Sequence, residues 1–366
     1  MKAIVLRQPG GIESLVLEEV PAPKVGPCDV VIEVEACGVS FHDVLVRQGT
    51  VKFGVELPCI LGHEISGCVV EVGRDVRSMK IGDRVATVQR YHVCGQCAFC
   101  RTGHEQLCDE RKFLGDSGMR GGYAEFVAVE EDNVARVPDN VPLAPAAMAA
   151  SAIGSPYNGI RDVVQLRMGE TVLVTGAGGG LGVHAVQIAK LGGALVIAQT
   201  TSPSKADLLR RLGADHVVVH KRGEDFSPQV RELTNGKGVD VIVDNVGTVL
   251  FEPMRKSLAI SGRWLLIGQL TGESVPFNPA QMFIRNQSMV STMSTTREQL
   301  VQVLTLMARG HIEPVVGGCF ALEQAGQAHA LVEGGSVVGR LLISPKSQIV
   351  DKYREPERLS VKRNNP

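Results

Sequence analysis

Apolar and polar residues alternate differently in two parts of this chain. From residue 1 to about 147, β-branched runs such as DVVIEVEA and GCVVEVG alternate apolar with polar positions, a pattern typical of strands with one buried face. From about 150 to 294, short apolar runs are separated by helical stretches. Strands that alternate with helices predict an α/β fold with a parallel, doubly wound sheet.

The second part is expected to supply the strands and helices of this sheet. The predicted strands are Thr171–Thr175, Leu195–Gln199, His216–Val219, Val239–Asp244, Trp264–Ile267 and Ser288–Thr292. The helices expected between them include Gly182–Leu191, Ser204–Leu212 and Phe226–Thr234. A further helix is predicted at about Arg297–Arg309.

After that helix the chain returns to strand-like patterns, IEPVVGGCFAL and VVGRLLISP. We therefore expect residues 1–149 and 295–345 to form one β-rich domain, with a dinucleotide-binding domain, residues 150–294, inserted between them. Residues 346–366 are polar, charged and contain proline. They are predicted to be a disordered or peripheral tail.

Composition narrows the classes of function. The 38 basic and 39 acidic residues leave a net charge of −1, so nucleic acid is not an expected partner. No apolar run reaches the ~18–20 residues that a membrane helix needs. The N-terminal MKAIVLRQPG also lacks the pattern of a signal peptide. A cytoplasmic protein that acts on a small molecule is expected.

A glycine-rich turn, TGAGGGLG, lies between an apolar strand and a helix. Such a turn lets a pyrophosphate approach the backbone at the positive end of the helix. The register that suits the helix has alanine, not glycine, at the first position of the fingerprint. Cofactor contacts are therefore predicted at Ala177, Gly179, Gly180, Leu181 and Gly182. A tight turn without a ligand is the alternative.

The end of the next strand, AQTTSPSK, bears on which nicotinamide cofactor is expected. An NAD site places a carboxylate there for the ribose 2′-hydroxyl. This chain instead offers hydroxyls and a lysine, at Thr200, Thr201, Ser202 and Lys205. Hydroxyls and a cation suit a 2′-phosphate, so NADPH is expected rather than NADH. Lys221 and Arg222 are further phosphate-binding candidates, or else solvated surface bases.

Four of the nine cysteines lie within fifteen residues, with the spacing C-x2-C-x2-C-x7-C: Cys94, Cys97, Cys100 and Cys108. Four thiolates on one loop can enclose Zn²⁺ and leave no open position for a substrate. An iron–sulfur cluster and redox-active thiols are the alternatives. We predict one structural zinc per chain, with His104 as a loop residue. The other five cysteines are expected to be small buried hydrophobes.

The order of these motifs resembles a known superfamily. GHE at Gly62–Glu64, a four-cysteine loop about thirty residues later and then the glycine turn are similar to the medium-chain dehydrogenase/reductase superfamily. The resemblance extends to about Pro345. The cysteine loop and GHE resemble zinc alcohol dehydrogenases. AGGGLG and GVSFHDVLVRQG look more like quinone and enoyl reductases, especially acryloyl-CoA-reductase-like members.

This resemblance implies a GroES-like catalytic domain, a Rossmann cofactor domain and a homodimer or homotetramer. In the zinc alcohol dehydrogenases, two cysteines and the histidine of GHE bind a catalytic metal. Matching the motifs places Ser40 and Ser151 at the cysteine positions and leaves only His63. Serine hydroxyls stay protonated at neutral pH and are poor zinc ligands. A catalytic zinc is therefore not expected, unless a shifted turn lets Cys37 bind it.

The candidate catalytic residues are Ser40, His42 and His63. His42 falls where alcohol dehydrogenases carry a proton-relay hydroxyl. An imidazole there can donate a proton or position water; a histidine bonded to backbone at a helix start is the alternative. Asp43 is expected to be structural, either near a helix N-terminus or paired with Arg340. Asn158 is also expected to line the cleft.

The predicted function is NADPH-dependent reduction of an activated C=C bond in an enone, an enoyl thioester or a quinone. Hydride transfer to the β-carbon followed by protonation needs orientation, an oxyanion partner and a proton source. Further cofactor contacts are expected at Asn245, Gly268, Ser291–Met293 and Arg340. The alternatives are a zinc-dependent alcohol dehydrogenase with an atypical metal shell and an NADPH-binding protein that is not an enzyme.

Overall fold

The strands of the computed structural model, which describes residues 1–354, fall into four sheets. In chain order they are β1 Lys2–Leu6, β2 Leu15–Glu19, β3 Asp29–Val39, β4 Cys59–Ile60, β5 Glu64–Val72, β6 Arg84–Thr87, β7 Arg90–His92, β8 Lys112–Phe113, β9 Phe126–Glu130, β10 Val134–Arg136, β11 Thr171–Val174, β12 Leu195–Thr200, β13 His216–Val219, β14 Val239–Asp244, β15 Leu258–Leu266, β16 Ser288–Ser291, β17 Val316–Ala321 and β18 Arg340–Ser344.

The α-helices of the described residues are mostly short. They are α1 Phe41–Gln48, α2 Ala98–Arg101, α3 Leu143–Ala146, α4 Gly154–Tyr157, α5 Gly182–Leu191, α6 Ala206–Arg211, α7 Ser227–Leu233, α8 Phe251–Ser257, α9 Ala280–Phe283, α10 Arg297–Ala308, α11 Ala325–Gly334 and α12 Ser347–Tyr353. A π-helical turn, Asn158–Val163, follows α4. In residues 1–354, no helix has the length and apolar character needed to cross a bilayer.

Six strands form a parallel sheet in the order β13-β12-β11-β14-β15-β16. Neighbouring strands pair in parallel throughout, and the order reverses beside β11, as in doubly wound dinucleotide-binding sheets. The middle strands are buried on both faces, which explains their continuous runs of valine, leucine and isoleucine. The predicted α/β fold is therefore confirmed.

The fifth strand of this sheet is longer than the sequence pattern predicted. β15 begins at Leu258 rather than Trp264, and its register with β14 shifts between Val239 and Val241. Ile260 and Ser261 are exposed, and Ser261 has a φ of +59°. A bulge of this kind interrupts the run of apolar residues. The sequence pattern therefore predicted a loop where the structure has the first half of β15.

A second large sheet joins both ends of the chain. Its path is β10-β6-β5-β3-β18-β17, with β9 also paired to β3. β18 lies antiparallel to β3 and parallel to β17, so strands from before residue 140 and after residue 315 share one sheet. Strands from both ends of the chain therefore form one sheet, as expected if the cofactor domain is inserted between them. The residue bounds of the two domains stay a prediction.

The predicted tail needs correction in its first part. Ser347–Tyr353 forms α12, which packs against β17 and β18. Val350 is buried, and Ile349 and Tyr353 pack on the main core. These apolar residues share one helical face, a pattern too short to stand out in a polar segment. Residues 355–366 of the predicted tail lie outside the described residues.

Candidate active site and metal centre

A cleft of about 880 Å³ lies between the two large sheets. Ser40, His42, His63 and Ser151 line one part of this central cleft, and the glycine turn lines another through Gly176 and residues 178–182. The predicted contact Ala177 is fully buried and lies outside the lining. Ser40 and His42 lie at the start of α1, which directly follows the long strand β3. His63 lies in the turn before β5, a strand paired with β3. The cleft therefore brings the predicted catalytic residues beside the predicted cofactor turn.

Ser40 is the N-cap of α1, and its hydroxyl is already engaged. The Ser40 Oγ accepts a hydrogen bond from the Asp43 backbone N–H at 3.2 Å and donates to Asp43 Oδ2 at 2.8 Å. Asp43 Oδ2 also accepts from the Ser40 backbone N–H at 2.8 Å, which completes a capping box. Asp43 thus occupies the helix start, as the sequence suggested, and fixes the Ser40 side chain.

His63 is held between a carboxylate and a hydroxyl. Its Nδ1 lies 3.6 Å from Asp43 Oδ1, and its Nε2 lies 3.5 Å from Ser151 Oγ. Burial lowers the pKa of His63, but the charge and hydrogen bonding of Asp43 outweigh burial and raise it above its usual value. Burial raises the pKa of Asp43, but the charge and hydrogen bonding of His63, with smaller contributions from His329 and the Ser40 N–H, together leave it below its usual value. The pair therefore favours an imidazolium beside a carboxylate.

His42 is paired with an aspartate that sequence reasoning missed. His42 Nε2 lies 2.8 Å from Asp116 Oδ1, although the two residues are 74 positions apart. The His42 side chain is 39% exposed, and the Asp116 side chain is 11% exposed. The rings of His42 and His63 meet edge to face with centroids 5.6 Å apart. No motif in the sequence links Asp116 to the start of α1.

The side chains nearest His63 are a carboxylate and hydroxyls rather than thiolates. The motif match assigns Ser40 and Ser151 to the thiolate positions of an alcohol dehydrogenase zinc site, and the Ser40 hydroxyl is committed to Asp43. Cys37 is fully buried, and burial raises the pKa of its thiol well above the usual range. Within residues 1–354, histidine, cysteine and acidic side chains form a group of three or more potential metal ligands only at the four-cysteine loop.

The four-cysteine loop fits a metal well. The sulfur atoms of Cys94, Cys97, Cys100 and Cys108 all lie within 4.8 Å of one another. The Cys97 and Cys100 backbone N–H groups donate to Cys94 Sγ at 3.3 Å and Cys97 Sγ at 3.5 Å. The bond from Cys100 lowers the pKa of Cys97 to about 7. Converging thiolates with N–H donors behind them suit tetrahedral Zn²⁺.

Two further features of the loop agree with a structural zinc site. Gly95 and Gly103 have φ values of +69° and +73°, so the backbone turns in a way that other residues rarely allow. His104 Nδ1 contacts the Thr102 hydroxyl at 3.3 Å rather than joining the sulfur atoms. The histidine therefore remains a loop residue, and the four thiolates would hold the ion.

The glycine turn closes tightly against the end of β12. Gly182 begins α5, and a Cβ there would lie 2.3 Å from the Gly176 carbonyl oxygen. Gln199 accepts from the Gly176 N–H through its side chain and from the Ala177 N–H through its backbone. This close packing requires glycine at 182 and tolerates alanine at 177, consistent with the predicted register.

Arg340 lies over the glycine turn but does not pair with Asp43 as expected. Its Nη2 is 2.9 Å from Glu64 Oε1, and its Nη1 donates to the Val39 carbonyl at 3.2 Å. A Cβ on Gly180 would lie 2.9 Å from the guanidinium carbon. Glu64 is fully buried, so it needs a cation, whereas Asp43 already has His63. The expectation of an Arg340–Asp43 pair was wrong.

Two buried side chains tie the cofactor turn to the other sheet. His184 Nδ1 donates to the Gly180 carbonyl at 2.8 Å, and its Nε2 accepts from the Val315 N–H at 3.1 Å. Burial lowers the pKa of His184 to about 4. Lys205 Nζ donates to the carbonyls of Val337 at 2.6 Å and Gly335 at 3.3 Å. The lysine therefore lines the cleft with its ammonium already engaged.

The remaining predicted cofactor residues separate into two groups. Inside the cleft lining are Thr200, Thr201, Asn245, Gly268 and Arg222. Ser202, whose hydroxyl contacts Ser204, and Lys221, which is exposed, lie outside that lining. Asn158 is also outside it, because its amide is buried against the Ser294 carbonyl and Gln299. The expectation that Asn158 lines the cleft was therefore wrong.

Comparison with known proteins agrees with this arrangement. The alcohol dehydrogenase GroES-like domain model matches residues 26–139, and the zinc-binding dehydrogenase model matches residues 180–309. The chain is 34% identical over 346 residues to acryloyl-coenzyme A reductase of Sulfurisphaera tokodaii, covering 94% of this chain and 100% of that protein. It is 32% identical over 354 residues to an NAD-dependent alcohol dehydrogenase of Saccharolobus solfataricus, with the same coverage.

Two solved structures are similar to this chain over nearly its whole length. The crystal structure of AibC has a TM-score of 0.87 and 41% identity, covering 94% of this chain and 96% of that one. A crystal structure of an NAD-dependent alcohol dehydrogenase has a TM-score of 0.88 and 35% identity, covering 94% of this chain and 100% of that one. Sequence likeness therefore extends to relatives named as acryloyl-coenzyme A reductase and as alcohol dehydrogenase, and fold likeness includes a structure named as an alcohol dehydrogenase.

Proposed function

The chain belongs to the zinc-binding alcohol-dehydrogenase-like branch of the medium-chain dehydrogenase/reductases, and we propose that it reduces an activated C=C bond with NADPH. The family makes it an oxidoreductase that uses a nicotinamide cofactor and acts on a small molecule, with the cysteine loop as a zinc site. The proposed substrates are enones, enoyl thioesters and quinones. Reduction of these bonds by hydride transfer does not require a Lewis-acid metal in the cleft.

The composition of the cleft is the observation that carries the proposal. Relatives named as reductases of acryloyl-coenzyme A and relatives named as alcohol dehydrogenases are similarly close, so similarity does not choose between them. Ser40, whose hydroxyl is held by Asp43, and Ser151 both line the cleft, and the motif resemblance assigns them to the thiolate positions of a catalytic zinc. A cleft built of hydroxyls and imidazoles favours hydrogen-bond and proton-transfer chemistry over metal activation of a carbonyl.

When bound, the nicotinamide cofactor would supply hydride to the β-carbon of the conjugated substrate. In this proposal His63 stays cationic beside Asp43, and its Nε2–H, whose neighbour is Ser151 Oγ at 3.5 Å, donates a hydrogen bond to the carbonyl oxygen where negative charge develops without giving up the proton. His42, at the more exposed side of the same pair of rings, supplies the proton that converts the enolate to product. The two histidines thereby divide charge stabilisation from proton donation.

The preference for NADPH is supported by what the end of β12 offers. Thr200 ends the strand where an NAD site has a carboxylate. Thr201 and Arg222 also line the cleft, and a guanidinium with hydroxyls suits a 2′-phosphate. Arg222 replaces Lys205 as the principal cation in this proposal, because the Lys205 ammonium already donates to two carbonyls.

The test is cofactor oxidation against a substrate panel, with zinc content measured on the same preparation. An enone, an enoyl-CoA thioester, a quinone and an aldehyde are each supplied with NADPH or NADH. We expect oxidation of NADPH by the conjugated substrates and one zinc per chain. Two zinc ions with aldehyde reduction would establish the alcohol dehydrogenase alternative. Tight NADPH binding without turnover would instead point to a non-enzymatic role.

Self-association through the cofactor domain is a further part of the proposal, together with a cytoplasmic location. β16 is at the edge of the six-stranded sheet, where a second copy could add its own edge strand. Phe283 and Ile284 just before it are 72% and 75% exposed, and Ile260 is 71% exposed. Light scattering should give a mass of two or four chains, and Ile284→Asp should lower it; a monomeric wild-type protein would contradict the proposal.

A further inference from the structure

Three separate segments meet at the exposed side of the central cleft. α1 brings His42, the turn before β5 brings His63, and the turn after β8 brings Asp116. His42 is the meeting point, because its Nε2 contacts Asp116 at 2.8 Å and its ring lies against that of His63. The Asp116 side chain is only 11% exposed, which is low for a carboxylate, so the surrounding structure holds it beside His42.

The backbone around Asp116 is fixed on both sides. The Asp116 carbonyl accepts from the Glu56 N–H at 2.9 Å, and the Gly118 N–H donates to the Glu56 carbonyl at 3.1 Å. Gly115 has a φ of +84°, and a Cβ there would lie 2.9 Å from the Gly62 nitrogen. The turn therefore packs directly on the segment that carries His63, and a bulkier residue at 115 would displace it.

We propose that Asp116 is a positioning residue that orients His42 so that its Nδ1 donates the proton in the reductive step. This inference rests on the proposed function for the identity of the reaction. Because Asp116 accepts from Nε2–H, the ring is fixed in rotation, and the second nitrogen is left as the proton carrier. A carboxylate that orients an imidazole in this way stabilises the imidazolium without itself taking the proton.

The step is balanced with the groups already named. With the nicotinamide cofactor bound, hydride transfer would add one hydrogen nucleus and its two electrons to the β-carbon, so that the cofactor is oxidised and the substrate becomes an enolate. The Nδ1–H bond of the His42 imidazolium breaks, its electron pair stays on Nδ1, and a C–H bond forms at the α-carbon as the carbonyl is restored. Neutral His42 keeps its Nε2–H bond to Asp116. Water then returns the proton to Nδ1, since 39% of the side chain is exposed.

His63 is the less suitable donor for this step. Its side chain is 10% exposed, and both ring nitrogens have neighbours, Asp43 on one side and Ser151 on the other. A proton lost from His63 would leave Asp43 buried beside a neutral ring, which is costly. For His42 this cost is smaller, because its own side chain is 39% exposed, and Asp116 is 11% exposed where Asp43 is 1% exposed.

A double-mutant cycle tests the assignment: Asp116→Asn, His42→Ala and the double variant. We expect Asp116→Asn to lower kcat about tenfold or more with the KM for NADPH unchanged, and to enlarge the solvent deuterium isotope effect. Combined with His42→Ala it should cause no further loss. Asp132→Asn, an exposed aspartate outside the cleft lining, is the matched control. Additive losses, or an unchanged isotope effect, would overturn the inference.

Failure of the proposed function would be seen separately. A wild-type enzyme that reduces aldehydes but no conjugated substrate refutes the C=C assignment, while the same cycle still measures the coupling of Asp116 to His42. Melting temperature and NADPH affinity show whether each variant is folded. If Asp116→Asn does not fold, Asp116→Ser takes its place. Nitrogen-15 shifts of His42 give a readout without turnover: loss of the Nε2–H tautomer in Asp116→Asn is expected, and its retention contradicts the inference.

Discussion

The cysteine loop and the central cleft are two polar sites built in opposite ways. The loop gathers its four side chains from fifteen consecutive residues. The cleft gathers His42, His63, Asp116 and Ser151 from four segments, held by hydrogen bonds and charge. A local site is specified by spacing and chelation, whereas a non-local site depends on the whole sheet being in register. The first tolerates little change in ligand type, and the second tolerates little change in position.

Removing a thiolate should have the largest effect. Cys97→Ser is expected to lower zinc content from one ion per chain to nearly none, because a hydroxyl does not replace the thiolate. The melting temperature should fall by roughly 10 °C, as metal binding to structural sites stabilises the fold. Metal analysis and thermal unfolding measure both. Cys28 lies outside the loop and is exposed, contrary to the expectation that the other cysteines are buried. Cys28→Ser should change neither property, and retained zinc in Cys97→Ser would argue against the site.

Giving the cleft thiolates tests whether ligand chemistry alone separates the two regions. The double variant Ser40→Cys with Ser151→Cys should bind a second zinc with a Kd of about 1 μM or tighter, equivalent to about 8 kcal/mol. His63 would be the third ligand. Metal titration followed by plasma emission analysis counts the ions, with each single variant as the control. A stoichiometry that stays at one ion would mean that position, not residue type, excludes the metal.

Acid should lower the free energy of unfolding, because it protonates His184 beside the glycine turn. Its pKa is about 4 in the folded protein because of burial, against 6.5 for a free histidine. The unfolded chain therefore binds more protons between these values, and stability is lost as pH falls from 6.5 to 4, by up to about 3 kcal/mol. Denaturant unfolding across this range measures the slope. The His184→Gln variant should be less stable at pH 7, and its free energy of unfolding should depend less on pH between 6.5 and 4. An unchanged pH dependence in this variant would refute the role of His184.

The smallest expected effect concerns cofactor choice. Arg222→Ala should raise the KM for NADPH about tenfold, near 1.4 kcal/mol, and leave the KM for NADH nearly unchanged. Lys221→Ala is the matched comparison, because Lys221 lies next in the chain but outside the cleft lining. Its effect should be smaller. Equal effects of the two substitutions would show that general surface charge, rather than a phosphate site, is responsible.

The difference between the two sites also explains what the sequence could predict. Spacing alone identified the cysteine loop, and apolar strands with a glycine turn identified the parallel sheet and its helices. Periodicity failed where the backbone is irregular, at the bulge of β15, and where a helix is short, at α12. Both features are stabilised by packing against residues distant in sequence, which a local pattern does not contain.

Contacts between site residues could likewise be predicted only where the two residues are close in sequence. Ser40 and Asp43 are three positions apart, and their capping box could be inferred locally. The pairing of His42 with Asp116 joins residues 74 positions apart, and that of Arg340 with Glu64 crosses from the last strand to the fifth. Which aspartate or glutamate meets a given cation depends on strand order and burial. Reasoning from motifs therefore placed Ser40, His42 and His63 in the cleft, but it missed Asp116, wrongly included Asn158 and assigned one ion pair to the wrong partner.

The position of β18 has a consequence for how the protein is made. This strand, near the end of the described chain, lies inside the sheet between β3 and β17, so the catalytic sheet is incomplete until residue 344 has been synthesised. The six-stranded sheet is finished at residue 291. We expect the later-encoded region to fold first on the ribosome while earlier strands wait for β18. Pulse proteolysis of stalled chains ending near residues 330 and 366 would reveal this inverted order.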